Sequence, residues 1–345
     1  MPDISNMPDK NMAARRLETL DLLRGITIVS MILYHGMWDF IYFSQTGSAM
    51  TGLRTWYEGM GGHLWQQSIC RSFIFLSGFC VPFSRRIFRR GLQVSGGGLV
   101  VSAVTLLFMY EDRVVFGVLT FLGAAMLLAG LIRTVEPGGR FSEPSPWLHR
   151  GNKGTGGPSL WLHSRKGALT GLVLCLILFY ITRWVNRCFL RFGPGLEVAL
   201  PDFLFVSAEQ QAAPAGRAAG FVLTGLGFPM QGFFSTDYFS LIPWIFLFSA
   251  GICLHGVMAG RGSDPGRISV QNNDGWSAGQ ESAPGKNARE AGQESASGAA
   301  NVGKTAFSHP LMHLKAPVLN WMGRHSLLIY MLHQPVLYLL ISVLF

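Results

Sequence analysis

Apolar residues run in blocks along this chain, separated by polar stretches rich in Arg, Lys, Gly and Pro. Seven blocks stand out, near 20–41, 66–84, 92–110, 114–133, 168–187, 239–258 and 322–345. Each approaches the roughly 20 residues that carry a helix across a bilayer. Most are apolar on every side rather than along one stripe, the pattern of lipid-embedded helices and not of a soluble bundle. The expected fold is all-α: a polytopic integral membrane helix bundle of about seven (six to eight) transmembrane helices. A shorter Gly-rich block at 218–230, "AAGFVLTGLGFPM", fits an eighth span, a re-entrant piece or a packed loop.

The polar stretches divide the chain. Residues 1–19 are an N-terminal tail, and 20–135 hold the first four helices. An insertion loop follows at 136–166, then two helices with an outside loop at 167–258. A linker at 259–316 precedes the last helix at 317–345. The linker is rich in Gly, Ser, Ala and Gln and repeats "AGQESA", a composition that predicts disorder. The insertion loop repeats "PSPWLH" as "PSLWLH", placing His149 and His163. Two histidines make half a tetrahedral site, so a duplicated fragment is the reading and no metal is expected.

Composition agrees with the pattern. Hydrophobic residues make up 49% of the 345 and charged ones only 14%, against about a quarter charged in soluble domains. The net charge of +9 comes without zinc-finger spacing or a basic helix, so nucleic acid is not an expected partner. Lys and Arg fall between the blocks and set orientation instead. Nineteen of the 28 lie in segments on the N-terminal side of the membrane and six in segments on the other, which puts the N-terminus in the cytoplasm. The first block is too long for a signal-peptide core and reads as an uncleaved span. The five cysteines include no CxxC and imply neither a disulfide framework nor a metal site.

Chemistry enters with the first block, "LDLLRGITIVSMILYHGMWDF", which holds Asp21, Arg24, His35 and Asp39. On a helix, Arg24 and His35 fall within about 20° of each other, with Asp21 and Asp39 about 40° to either side. All four share one face. Ionisable groups in a membrane are costly and mark cavities or pathways. Asp21 can pair with Arg24 at the inner end. His35 lies about 16 Å beyond Arg24, with Asp39 one turn further to orient its ring as carboxylates do in catalytic pairs. Trp38 flanks the outer end. The last block adds Arg324, His325, Ser326, Tyr330, His333 and Gln334, the last two just before Pro335. Helix glue is the competing reading for His333. Arg85, Arg86, Arg89 and Arg90 follow "FIFLSGFC" and suit either an anionic cofactor or lipid headgroups. Asp237 and Tyr238 stand at the outer mouth of the sixth span, where a sugar platform or an interfacial belt fits. Ser77, Gly78 and Gly251 are small enough to pack helices within one chain or between copies, so homo-oligomerisation stays open.

These blocks resemble, in order, those of the heparan-α-glucosaminide N-acetyltransferase catalytic-domain family, especially its bacterial members. The resemblance rests on "RRLETLDLLRGITIVSMILYHGMWDF", "FIFLSGFCVPFSRR", "VVFGVLTFLGAAML", "DYFSLIPWIFLFSAGICLHG" and "GRHSLLIYMLHQPV". It spans most of the chain except 136–166 and 259–305. It implies a multispanning acetyltransferase, in a bacterial inner membrane, that takes acetyl from cytosolic acetyl-CoA. The acceptor would be a sugar or envelope-glycan amine or hydroxyl on the far side. Asp21, Arg24, His35 and His333 are the residues it carries over. One departure matters: some relatives lack His at the position of His35 and place one in the next loop, where this chain has His63 in "GMGGHLWQQ". His35 or His63 is then the acting histidine, as general base or as transient acetyl carrier, with His35 preferred for its partner Asp39. A transporter or flippase of an anionic or sugar-linked substrate is the rival class.

Overall fold

The computed structural model describes residues 18–44, 48–84, 86–135, 165–259, 314 and 316–344. The tail 1–17, Arg85 and nearly all of the two insertions, with His149 and His163, lie outside the described residues. Ten α-helices and one hairpin make up the rest: α1 Glu18–Phe43, α2 Ser48–Glu58, α3 Met60–Cys80, α4 Ile87–Phe108, α5 Val118–Val135 and α6 Arg165–Thr182. The hairpin is β1 Phe189–Gly193 with β2 Leu196–Ala199, and α7 Pro214–Leu226, α8 Leu241–Ala259, α9 Pro317–Arg324 and α10 Ser326–Leu344 follow.

The chain is an all-α polytopic membrane bundle. Among the described residues five helices are long and apolar enough to cross a bilayer: α1, α4, α6 with its following turn, α8 and α10. The other two expected spans are helices as well. The apolar part of α5, Val118–Arg133, is shorter than these, and α3 carries His63, Gln66, Gln67, Ser68, Arg71 and Ser72 among its 21 residues. Block 218–230 contributes to α7, whose 13 residues reach only about 20 Å. That falls short of a roughly 30 Å hydrocarbon core, so α7 is not an eighth span.

Small residues set the packing, because lipid gives helices no hydrophobic reason to associate. Helices α3 and α8 touch at Gly78 and Gly251, each facing the other helix's backbone near Phe248 and Phe75. The small residues singled out in the sequence are thus used within one chain. Helix α1 packs on α3, α9 and α10; α4 packs on α5, and α6 on α8. The main core gathers Ile74, Val118, Phe121, Leu122, Phe239, Leu247 and Phe248. A second cluster, Ile28, Met31 and Ile69, sits under the site described next.

The hairpin was not anticipated. Its strands pair antiparallel, Phe189 with Ala199 and Arg191 with Glu197. Its turn, Pro194–Gly195, uses glycine at φ +76°, a left-handed value that costs other residues strain.

Candidate active site

Helices α1 and α10 lie side by side, and each brings a histidine to the contact. The His35 and His333 ring centroids are 5.1 Å apart, with the planes 57° apart. His333 Nδ1 is 2.6 Å from the carbonyl oxygen of Tyr330. A carbonyl only accepts, so Nδ1 carries the proton of the neutral ring and Nε2 carries the lone pair. That Nε2 is buried without a hydrogen-bond partner. Tyr34 meets His35 edge-on at 5.7 Å. Tyr34, Tyr57 and Trp38 form an aromatic column beside the pair, Tyr34 to Tyr57 at 4.7 Å and Tyr57 to Trp38 at 5.6 Å. The Tyr57 hydroxyl donates to the Tyr34 carbonyl at 3.2 Å.

One turn along α1, Asp39 is buried. Its Oδ1 accepts from Gln334 Nε2 at 3.4 Å, while Asp39 Oδ2 and Gln334 Oε1 are buried without partners. Among the described residues no hydrogen bond links Asp39 to His35. Both side chains point from the same face of α1 towards α10, and α10 meets them one residue apart, His333 against His35 and Gln334 against Asp39.

Asp237 is drawn further in than the sequence suggested. Its Oδ2 accepts the Val118 N–H at 3.1 Å, so it caps α5, where an anion also complements the helix dipole. Its carboxylate hydrogen-bonds the Tyr330 hydroxyl as well. Tyr330 stacks on Phe73 at 6.0 Å and lies 5.5 Å from His333, ring to ring. Asp237, Tyr330, His333 and His35 thus form a continuous series of contacts. Tyr238 faces elsewhere: its hydroxyl donates to the Thr224 carbonyl at 2.6 Å, tying this loop to α7. His63 is exposed in the first turn of α3, and no described side-chain contact joins it to the pair.

At the other end of α1, Asp21 pairs with Arg324 at 3.5 Å rather than with Arg24. Helix α9 folds back against α1 so closely that Gly323 meets the Asp21 backbone, which brings Arg324 alongside. Arg24 is half-buried, and the Cys80 thiol feels Arg24, Asp21 and Arg90 together. Arg86, Arg89 and Arg90 are exposed at the start of α4. Tyr330, Gln334 and Arg324 were visible as polar residues in the last block, but nothing local assigned them partners. Their i, i+3 and i, i+4 spacing at 330, 333 and 334 was the available signal. Among the described residues no cluster of three or more His, Cys, Asp or Glu could hold a metal.

Fold and site together define a polytopic helical membrane protein with a buried polar cluster between its first and last helices. The profile of the family described as "Heparan-alpha-glucosaminide N-acetyltransferase, catalytic" matches residues 16–142 and 167–278, about two thirds of the chain. The chain belongs to this family, and with it to the membrane acetyltransferases. No curated protein and no solved structure gives a significant match. The matched residues end at 278, so α9 and α10 lie beyond them.

Proposed function

We propose that the protein moves acetyl from acetyl-CoA to an amine or hydroxyl of a sugar or glycan, with His333 Nε2 as the proton acceptor and His35 beside it. The observation that carries this is the His333 ring itself: tautomer fixed by the Tyr330 carbonyl, lone pair buried and unengaged. This moves the base from His35 or His63 to the last helix.

Acetyl-CoA enters from the cytoplasmic side, where Arg24, Arg86, Arg89, Arg90 and Arg324 suit its phosphates. The thioester then reaches about 16 Å along α1 to His35. The acceptor comes from the opposite side, past Trp38, Tyr57 and Tyr34. His333 Nε2 takes the proton of the acceptor N–H or O–H as that atom bonds to the acetyl carbon. The C–S bond breaks, and the CoA thiolate leaves and takes the proton from the imidazolium. Asp237, through Tyr330, holds α10 in register, and Asp39 with Gln334 fixes its next turn. The setting is a bacterial inner membrane, as the resemblance of the sequence blocks implies, with the N-terminus inside, as the Lys and Arg distribution supports.

The test uses purified full-length protein in liposomes, [14C]acetyl-CoA and glucosamine as acceptor. His333→Gln lowers transfer by roughly 10² to 10⁴, while His63→Ala leaves it unchanged. Full transfer by a folded His333→Gln protein overturns the assignment.

A further inference from the structure

A second charged cluster, at the far end of α6, is not used by acyl transfer. Beyond Thr182 the chain passes through a 3-10 turn, Val185–Arg187, into β1. Three guanidiniums lie over the Trp184 ring: Arg187 at 4.7 Å, Arg183 at 5.2 Å and Arg191 at 5.7 Å from its centroid. Arg71 of α3 lies over Phe179 at 5.8 Å, one turn below, within electrostatic reach of Arg183. Arg191 has an acid partner, Glu197 at 3.3 Å. Arg71, Arg183 and Arg187 form no ion pair among the described residues. Two N–H donors at the centre, Arg183 Nε and Trp184 Nε1, are buried without an acceptor.

Arg71 and Arg187 are exposed and Arg183 is half-buried, so the cluster is open to a ligand, and an anion would balance its like charges and fill the two buried donors. Planar guanidinium forks match phosphate oxygens in particular. The surface below the cluster says what carries that phosphate. Leu169, Val173, Leu176, Ile177 and Tyr180 are all exposed. They follow i, i+4, i+7, i+8, i+11 spacing, one stripe of α6. The stripe ends at Tyr180, over whose ring Arg183 lies at 4.9 Å. A ligand that follows this stripe is apolar below and anionic at its head.

We infer that Arg71, Arg183, Arg187 and Trp184 form a binding site for the phosphate of a lipid whose hydrocarbon chains lie along α6. The phosphate oxygens accept from the guanidiniums and from Trp184 Nε1. Two sources share this chemistry: an anionic phospholipid headgroup, or a polyprenyl phosphate of the kind that carries sugars. The site is separate from the histidine pair, so its fate is independent of the acyl-transfer reading.

Native mass spectrometry of delipidated full-length protein in neutral detergent tests it with three probes: phosphatidylglycerol, undecaprenyl phosphate and monogalactosyl diacylglycerol. Wild type is expected to bind one molecule of a phosphate-bearing probe at least about tenfold tighter than the phosphate-free glycolipid. Arg183→Gln with Arg187→Gln, and Arg71→Gln separately, remove that preference, while Arg217→Gln on α7 keeps it. Tighter binding of phosphatidylglycerol names a resident phospholipid, and tighter binding of undecaprenyl phosphate names a sugar carrier. Equal binding of the galactolipid by wild type overturns the site without any variant. So does an undiminished phosphate preference in the folded double variant.

Discussion

Gly98 on α4 faces the first turn of α5, the turn that Asp237 caps. A methyl group added there would lie 2.7 Å from Thr120 N, 3.1 Å from Thr120 Cα and 3.2 Å from Leu119 C. All three are backbone atoms, so no side chain can swing away. Ordinary contact begins at 3.4 Å, and Gly98→Ala must therefore push the two helices apart by about 0.7 Å. Overpacking of this kind costs about 1–3 kcal/mol, partly offset by the roughly 0.5–1 kcal/mol that alanine gains over glycine in a helix. Gly96, two residues earlier on the same helix, has nothing within 4 Å of the same added methyl. Gly96→Ala keeps the helix gain without the clash, so the two variants differ by roughly 2 kcal/mol. The same shift opens the 3.1 Å Val118–Asp237 bond towards about 3.8 Å, beyond hydrogen-bond range. Gly98→Ala should then lose acetyl transfer as well as stability. Unfolding in mixed micelles titrated with SDS gives the stabilities, and acetyl transfer is measured on the same preparations. If Gly98→Ala proves as stable as Gly96→Ala, α4 does not constrain α5 in the way argued.

Asp237→Asn keeps the shape of the cap but exchanges its carboxyl for a weaker-accepting amide; a loss of about 1 kcal/mol is expected. Transfer slows with it, because Tyr330 loses its carboxyl partner, and thermal melting beside the transfer assay separates the two effects. Tyr238→Phe removes the shorter of two hydrogen bonds to the Thr224 carbonyl, leaving the Gly227 N–H, and costs about 1 kcal/mol, with KM for the sugar unchanged. A raised KM would return Tyr238 to the acceptor site.

The spans were legible because a bilayer imposes one length and one composition, which single-chain periodicity reports directly. The face of α1 was legible too. Asp21, His35 and Asp39 do share it, and all three turn it towards α9 and α10. Their partners were not legible. Asp21 meets Arg324, His35 meets His333 and Asp39 meets Gln334. Helix-wheel arithmetic compares residues on one helix, so it offered Arg24 for Asp21 and Asp39 for His35. It cannot see a neighbour some 300 positions away. Asp237 was misplaced for a related reason. It stands in a loop whose sequence reads as an outer rim, but the loop turns inward to complete the unsatisfied first turn of α5. The β-hairpin was missed because "FLRFGPGLEVA" lies directly after an apolar block, and only its Pro-Gly turn marks it.

The three cross-helix partners Arg324, His333 and Gln334 all lie in the last 22 residues, beyond the matched part of the family. Whether α10 belongs to the functional unit can therefore be measured through one contact, Asp39 with Gln334. Replacing either residue alone by leucine strands the other's buried polar atoms and costs about 1–3 kcal/mol. Replacing both removes the stranded group, so the double variant should lose less than the two single losses combined. Coupling between polar side chains inside membranes averages about 0.6 kcal/mol. An acidic partner with further unpaired atoms on both residues argues for a value nearer 1–2 kcal/mol here. Unfolding in mixed micelles supplies the four stabilities of the cycle. A coupling of zero would mean that α10 does not hold Asp39, and that the histidine pair lacks the support its geometry depends on.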